Sequence, residues 1–161
     1  GWEVAPALRV LFLSPEFRAA ENRYSLVKSP AEFVAGAMRA LKRTEFGEAA
    51  LWTQNAGQVL YRPPNVGGWI PNEGWLAAGS ILARYNTASR LAGLHLNAPK
   101  AGLPTTPDLR QWMAVFGLAE LSPQTQAGFD TYFQRLADRG PAVKIAGVIT
   151  LLLTSPDHYL A

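Results

Sequence analysis

The sequence predicts an all-α domain, an irregular bundle of about seven helices, and three observations carry that reading. Ser-Pro pairs recur along the chain where helices would begin, apolar residues repeat with helical period between them, and no stretch alternates with period two for long enough to make a strand. One segment interrupts the pattern. Tyr61 to Trp75, YRPPNVGGWIPNEGW, holds three prolines, three glycines and two tryptophans. It cannot be helix and is too aromatic for a plain linker, so it reads as an ordered loop that packs its own tryptophans.

Each element follows from local chemistry. Ser14-Pro15, Ser29-Pro30, Ser122-Pro123, Ser155-Pro156 and Thr106-Pro107 place a hydroxyl at an N-cap and a proline at the first helical position, where no used donor is lost. Glu32, three residues after Ser29, completes a capping box. Phe33, Val34, Ala37, Met38 and Leu41 form one core stripe; Leu109, Trp112, Met113 and Phe116 form a second; Phe129, Tyr132, Phe133 and Leu136 form a third. Gly117 and Gly140 stand where the last two should stop. Further helices are expected over Glu45 to Ala56 and Gly74 to Leu91, the latter turning Ile81, Tyr85 and Ala88 inward. The helix from Pro141 to about Leu153 is apolar almost all round and belongs at the centre of the bundle. Gln58 to Tyr61 reads as a short extended piece. Leu94 to Thr105 is the longest plain connection and a point of possible subdivision of a single domain, 1–161. Leu11 to Phe17 echoes Leu152 to His158 as two similar helix-to-helix corners.

Composition narrows the function classes. The chain has 161 residues, 48% apolar and 17% charged. That charge is low against the ~25% of ordinary globular domains, so part of the surface is expected to be covered by a partner or by another part of the same polypeptide. The net charge of +3 gathers only at Arg39, Lys42 and Arg43, at a helix end facing solvent, with no basic stripe interleaved with aromatics; nucleic acid is not an expected partner. The absence of cysteine excludes disulfides and thiolate metal sites. No apolar run approaches the ~20 residues of a membrane span. Helix-like sequence directly after Gly1 reads as the interior of a longer protein.

Catalytic patterns are sparse. There is no G-x-S-x-G elbow, no HExxH, no phosphate loop around Gly67-Gly68, and no metal or cofactor is expected. His95 and His158 are the only histidines, and Asp157 beside His158 reads as a first-turn acid. Of the carboxylates that could serve a glycosidase, Glu16 and Glu32 have helix-start roles; Glu73, beside the tryptophans, has none and is the catalytic candidate. Asn65 reads as a cap within the loop. Trp69 and Trp75 either stack on a ligand or fasten the loop to its core. Arg84 and Asn86 follow on the next helix, where Arg84 reaches loop carbonyls or an anion.

LVKSPAEFVAGAMRAL (26–41), PPNVGGW (63–69), SILARYN (80–86) and LLLTSPDHYLA (151–161), in that order, resemble the C-terminal portion of the bacterial family called domain of unknown function 1800. The resemblance spans nearly the whole chain, although SPDHY departs from the family's more usual SPEF-type ending. It implies a helix-rich periplasmic or secreted protein with no assigned reaction, of which an N-terminal part is missing here, and it draws attention to Lys28, Asn65, Trp69, Arg84 and Asn86. The expected function is a binding or assembly module of the bacterial envelope that contacts a protein partner, the missing N-terminal part, a glycan or a small anion through the loop 61–75. The alternative is a hydrolase acting on glycans or esters through Glu73 with Arg84.

Overall fold

A computed structural model describes residues 3–22 and 24–160. Among them are eight α-helices and no strand: α1 (Val4–Leu13), α2 (Pro30–Ala40), α3 (Ala49–Asn55), α4 (Ala78–Asn97), α5 (Leu109–Val115), α6 (Pro123–Arg135), α7 (Pro141–Thr154) and α8 (Pro156–Tyr159). The all-α expectation holds, and the irregular loop stands between α3 and α4.

The bundle is organised around α4 lying on α7. α7 turns Ile145, Val148, Ile149, Leu152 and Leu153 inward, and α4 meets it with Ala88, Leu91, Ala92 and His95. The two alanines let the helices approach closely. α2 closes one side with Phe33, Val34, Ala37, Met38 and Leu41, while Trp112 of α5 and Phe129 of α6 close the other, so residues on both sides of the 98–108 connection share one core cluster. α7 is central, as its all-round apolarity requires.

Capping decides which Ser-Pro pairs open helices. Ser29 accepts from the Glu32 N–H while Glu32 returns a bond to the Ser29 N–H, the complete capping box; Ser122 and Ser155 cap α6 and α8. Ser14-Pro15 opens only a turn. There the Asn22 side chain takes the Glu16 carbonyl and Arg18 takes that of Phe12, bonds that compete with a helix ladder where no apolar stripe would reward one. Thr106-Pro107 also fails as a start: the Thr106 carbonyl accepts from Trp112 Nε1 at 2.9 Å, and the Asp108 carboxylate caps α5 in its place. α3 is shorter than expected, α4 begins later and runs further, and Gly140 is the N-cap of α7, since α6 already ends at Arg135. Gln58 to Tyr61 forms no strand: Leu60 and Tyr61 lie in a turn where the Arg62 N–H donates to the Val59 carbonyl, and buried Gln58 accepts from the Ala31 N–H. The echo between the two Ser-Pro corners is real in geometry: Ser14 and Ser155 share the same extended backbone, and each Oγ accepts from the N–H three residues on.

Arg43 departs from the solvated cluster expected of it. It is 5% exposed and donates to the Ala98 carbonyl at 3.1 Å, while Lys42 donates to the Ala101 carbonyl at 2.8 Å, so these cations fasten the connection after α4. α1 is the opposite case. It buries none of its residues, and Val4, Leu8, Val10, Leu11, Phe12 and Leu13 all face outward.

Two core features generate measurable expectations. Gly147 of α7 lies against the Tyr132 ring, whose hydroxyl donates to the Val143 carbonyl at 2.9 Å, and a Cβ at 147 would overlap that ring. Gly147→Ala should cost about 1–3 kcal/mol in urea denaturation, and under about 0.5 kcal/mol in a Tyr132→Ala background. His158 sits edge-on to Phe33 and Phe116 and is held down at about 3 against the ordinary 6.5, chiefly by burial and next by the Lys28 ammonium. A depressed folded value means that the unfolded chain binds the extra proton between these limits, so this contribution is full above pH 6.5 and is lost as pH falls towards 3. Stability should therefore fall on acidification with a slope approaching ~1.4 kcal/mol per pH unit from this residue, and His158→Phe should remove that part of the slope.

Candidate functional site

The loop is ordered by its own short-range chemistry. Asn65 Oδ1 accepts from the Gly67 N–H at 2.8 Å, the capping role its sequence suggested, and the Gly68 N–H returns to the Asn65 carbonyl with Gly68 at φ +88. Further on, the Ile70 side chain lies against Gly74, where any Cβ would collide with it. A 3₁₀ turn, Asn72–Leu76, then leads into α4. Its tether to the rest of the molecule is Asn72, whose Oδ1 accepts from the Val27 N–H at 2.7 Å.

Behind the loop lies a cavity of about 440 Å³. Trp69, half-buried, and Trp75, 9% exposed, wall it together with Ile70 and Pro64; Ala77, Gly79 and Ser80 of the α4 start form its end. The lining contains no titratable side chain. A second groove of about 520 Å³ between α3 and α4 adjoins it, sharing Asn55 and Gly79, and holds Asn86 and the exposed Glu48–Arg90 ion pair. Around these spaces the loop presents Tyr61, Val66 and Ile70 to solvent, with Val66 fully exposed. Trp75 is thus buried and Trp69 half-buried while both wall the cavity.

The other sequence-named residues separate from this site. Glu73 is exposed and accepts from Asn72 Nδ2 at 3.0 Å. Arg84 is fully buried one turn below, on the face of α4 away from Asn86. Its Nη2 donates to the Lys28 carbonyl at 2.6 Å, and its guanidinium lies 5.2 Å from the Phe33 ring centre and 5.0 Å from that of Tyr159. Lys28 in turn donates through Nζ to the His158 carbonyl and through its backbone to that of Tyr159, beside the antiparallel bridge of Val27 with Leu160. Burial pushes Arg84 below its ordinary value, partly offset by Tyr159 and Glu32, and burial also lowers Lys28 and raises Tyr159. Arg84 and Lys28 therefore hold the chain end against the start of α2.

Asp157 and His158 point to different partners. The Asp157 carboxylate accepts from Ser122 N–H and Oγ at the start of α6, next to a separate cavity of about 350 Å³, whereas His158 is core. Among the described residues no helix is long and apolar enough to cross a membrane, and no group of three metal-ligating side chains occurs. Asn55, Asn72 and Ser80 were not singled out by the sequence. Asn72 carried a signal in the Pro-Asn turn, whereas Asn55 and Ser80 look like ordinary helix residues until the loop folds over them.

No curated protein and no solved structure matches this chain. A family model described as protein of unknown function (DUF1800) matches residues 1–160. With that match spanning essentially its whole length, the chain belongs to the DUF1800 family.

Proposed function

We propose that this chain is a non-catalytic binding or assembly module of a bacterial envelope or secreted protein, engaging its partner through the loop 61–75 and the cavity behind it. The observation that supports this is a reachable pocket walled by Trp69 and Trp75, free of titratable lining, under a loop whose apolar side chains face solvent. Such a surface contributes affinity by covering aromatic and aliphatic area and has no group placed to transfer a proton. Outward-facing α1 supports the assembly part of the reading, because a ten-residue helix without buried contacts gains its stability from something that covers it.

The hydrolase reading has less behind it. Glu73 and Arg84 would have to work together, yet Glu73 lies in solvent on the 3₁₀ turn and Arg84 is enclosed between two rings. Trp69→Ala should weaken retention by envelope fractions or glycan arrays about tenfold or more while leaving the melting temperature within a few degrees. Retained binding in that variant would count against the proposal. A broad hydrolase screen of wild type against Glu73→Gln should show no difference; activity that disappears with the glutamine would revive the enzyme.

A further inference from the structure

We propose that the N-terminus of α4 is a carboxylate-binding site opening into the cavity under the loop, an inference that rests on reading that loop and cavity as a binding surface. α4 is the longest helix, twenty residues, and its start is left without a cap. The first N–H groups of any α-helix lack intrahelical acceptors, and here the N-cap is Ala77, with no side chain to offer and no acidic residue in the first turn. Among the described residues no backbone carbonyl accepts from the Ala78, Gly79 or Ser80 N–H.

A second, independent feature points the same way. Ser80, 8% exposed, lines the cavity, and its Oγ is shielded from solvent with no hydrogen-bond partner. Burying a hydroxyl unpaired forfeits its hydration with nothing in return, so a partner is the expected state of such a group. The space beside it is open: a Cβ placed on Gly79 would meet nothing within 4 Å.

The lining selects the charge of the ligand. A helix N-terminus carries roughly half a positive charge, and no Lys, Arg or His lines the cavity to add to it. That suits one negative charge spread over two oxygens. A phosphate dianion would lie there largely uncompensated in apolar surroundings. The carboxylate is therefore set against backbone N–H groups, and Trp69, Trp75 and Ile70 face the rest of the molecule that carries it, which must be apolar or aromatic.

The test is a titration of the whole ¹⁵N-labelled chain followed by amide shifts, at ionic strength held constant with sodium chloride, using acetate, phenylacetate and inorganic phosphate as probes. Saturable shifts are expected at Ala78, Gly79 and Ser80, with phenylacetate binding at least about fivefold tighter than acetate and phosphate weaker than phenylacetate. Ala77→Asp supplies an internal carboxylate at a backbone position already extended, φ −59 and ψ 145, so it should raise the melting temperature and weaken phenylacetate about tenfold or more. Ser80→Ala should weaken it severalfold with the fold intact. Tighter binding of phosphate, shifts centred on Arg39 and Lys42, or an Ala77→Asp variant that binds phenylacetate as wild type does would each overturn the assignment. Absent carboxylate shifts alongside partner binding that depends on Trp69 would sink this inference and leave the loop reading standing. Carboxylate binding with partner retention indifferent to Trp69→Ala would do the reverse.

Discussion

Everything in this molecule is placed by the close packing of α4 along α7. Ala88 and Ala92 bring the backbones near, and the branched row Ile145, Val148, Ile149, Leu152 and Leu153 fills what remains. Interiors at this density do not tolerate a void or an extra methyl without cost, so the rotation of α4 about its own axis is fixed by that contact. Once the rotation is fixed, Arg84 must face inward and Asn86 outward, and the first turn of α4 must project past the bundle to meet the loop. The geometry of the candidate site is thus a consequence of core packing along the twenty residues of α4, not of anything in the loop alone.

The inward placement of Arg84 is the costly part of this arrangement. A guanidinium out of water needs compensation; among the described residues the Lys28 carbonyl and the faces of Phe33 and Tyr159 take that role, leaving Nε and Nη1 without hydrogen-bond partners. What the arrangement stabilises is a seam between residues far apart in sequence: Val27 against Leu160, the Lys28 N–H on the Tyr159 carbonyl, and Lys28 Nζ on that of His158. Asn72 is bonded to the same strip through Val27. The loop, the start of α2 and the end of the chain therefore share one buried cation as their anchor, and a change at Arg84 would be felt at the loop.

Much of the fold was legible because it is written in short-range chemistry. Ser29 with Glu32, the stripe from Phe33 to Leu41, and Gly117 at φ +71 after α5 are patterns whose cause lies within a few residues. The misreadings arose where tertiary contacts outvoted a local signal: Thr106 surrendered its carbonyl to Trp112, and Asn22 and Arg18 took the carbonyls a helix after Ser14 would have needed. At the site, Trp69, Trp75 and Asn65 could be read because an aromatic, Pro/Gly-rich segment is unusual on its face. Grouping Arg84 with Glu73 failed for a geometric reason, since residues eleven apart across a 3₁₀ turn and a helix start have no fixed angular relation. Ser80 and Asn55 gave no warning, because nothing in a serine's sequence context shows that its hydroxyl will be enclosed without a partner.

The uncapped start of α4 sets the balance between stability and use. An aspartate at 77 would satisfy free N–H groups and stabilise the helix by about 1 kcal/mol, and the backbone there is already extended as such a cap requires. α1, α3 and α7 also start without a side-chain cap, and what sets the α4 start apart is that its unfilled cap lies beside an unpartnered hydroxyl and under a tryptophan wall. On the proposed carboxylate site, the affinity of the ligand would draw on the donors this unfilled cap leaves free. On the proposed binding reading, Asn65, Gly68 and the Ile70–Gly74 contact hold the aromatic wall beside those donors, and a binding surface already in place loses little conformational entropy when it is occupied.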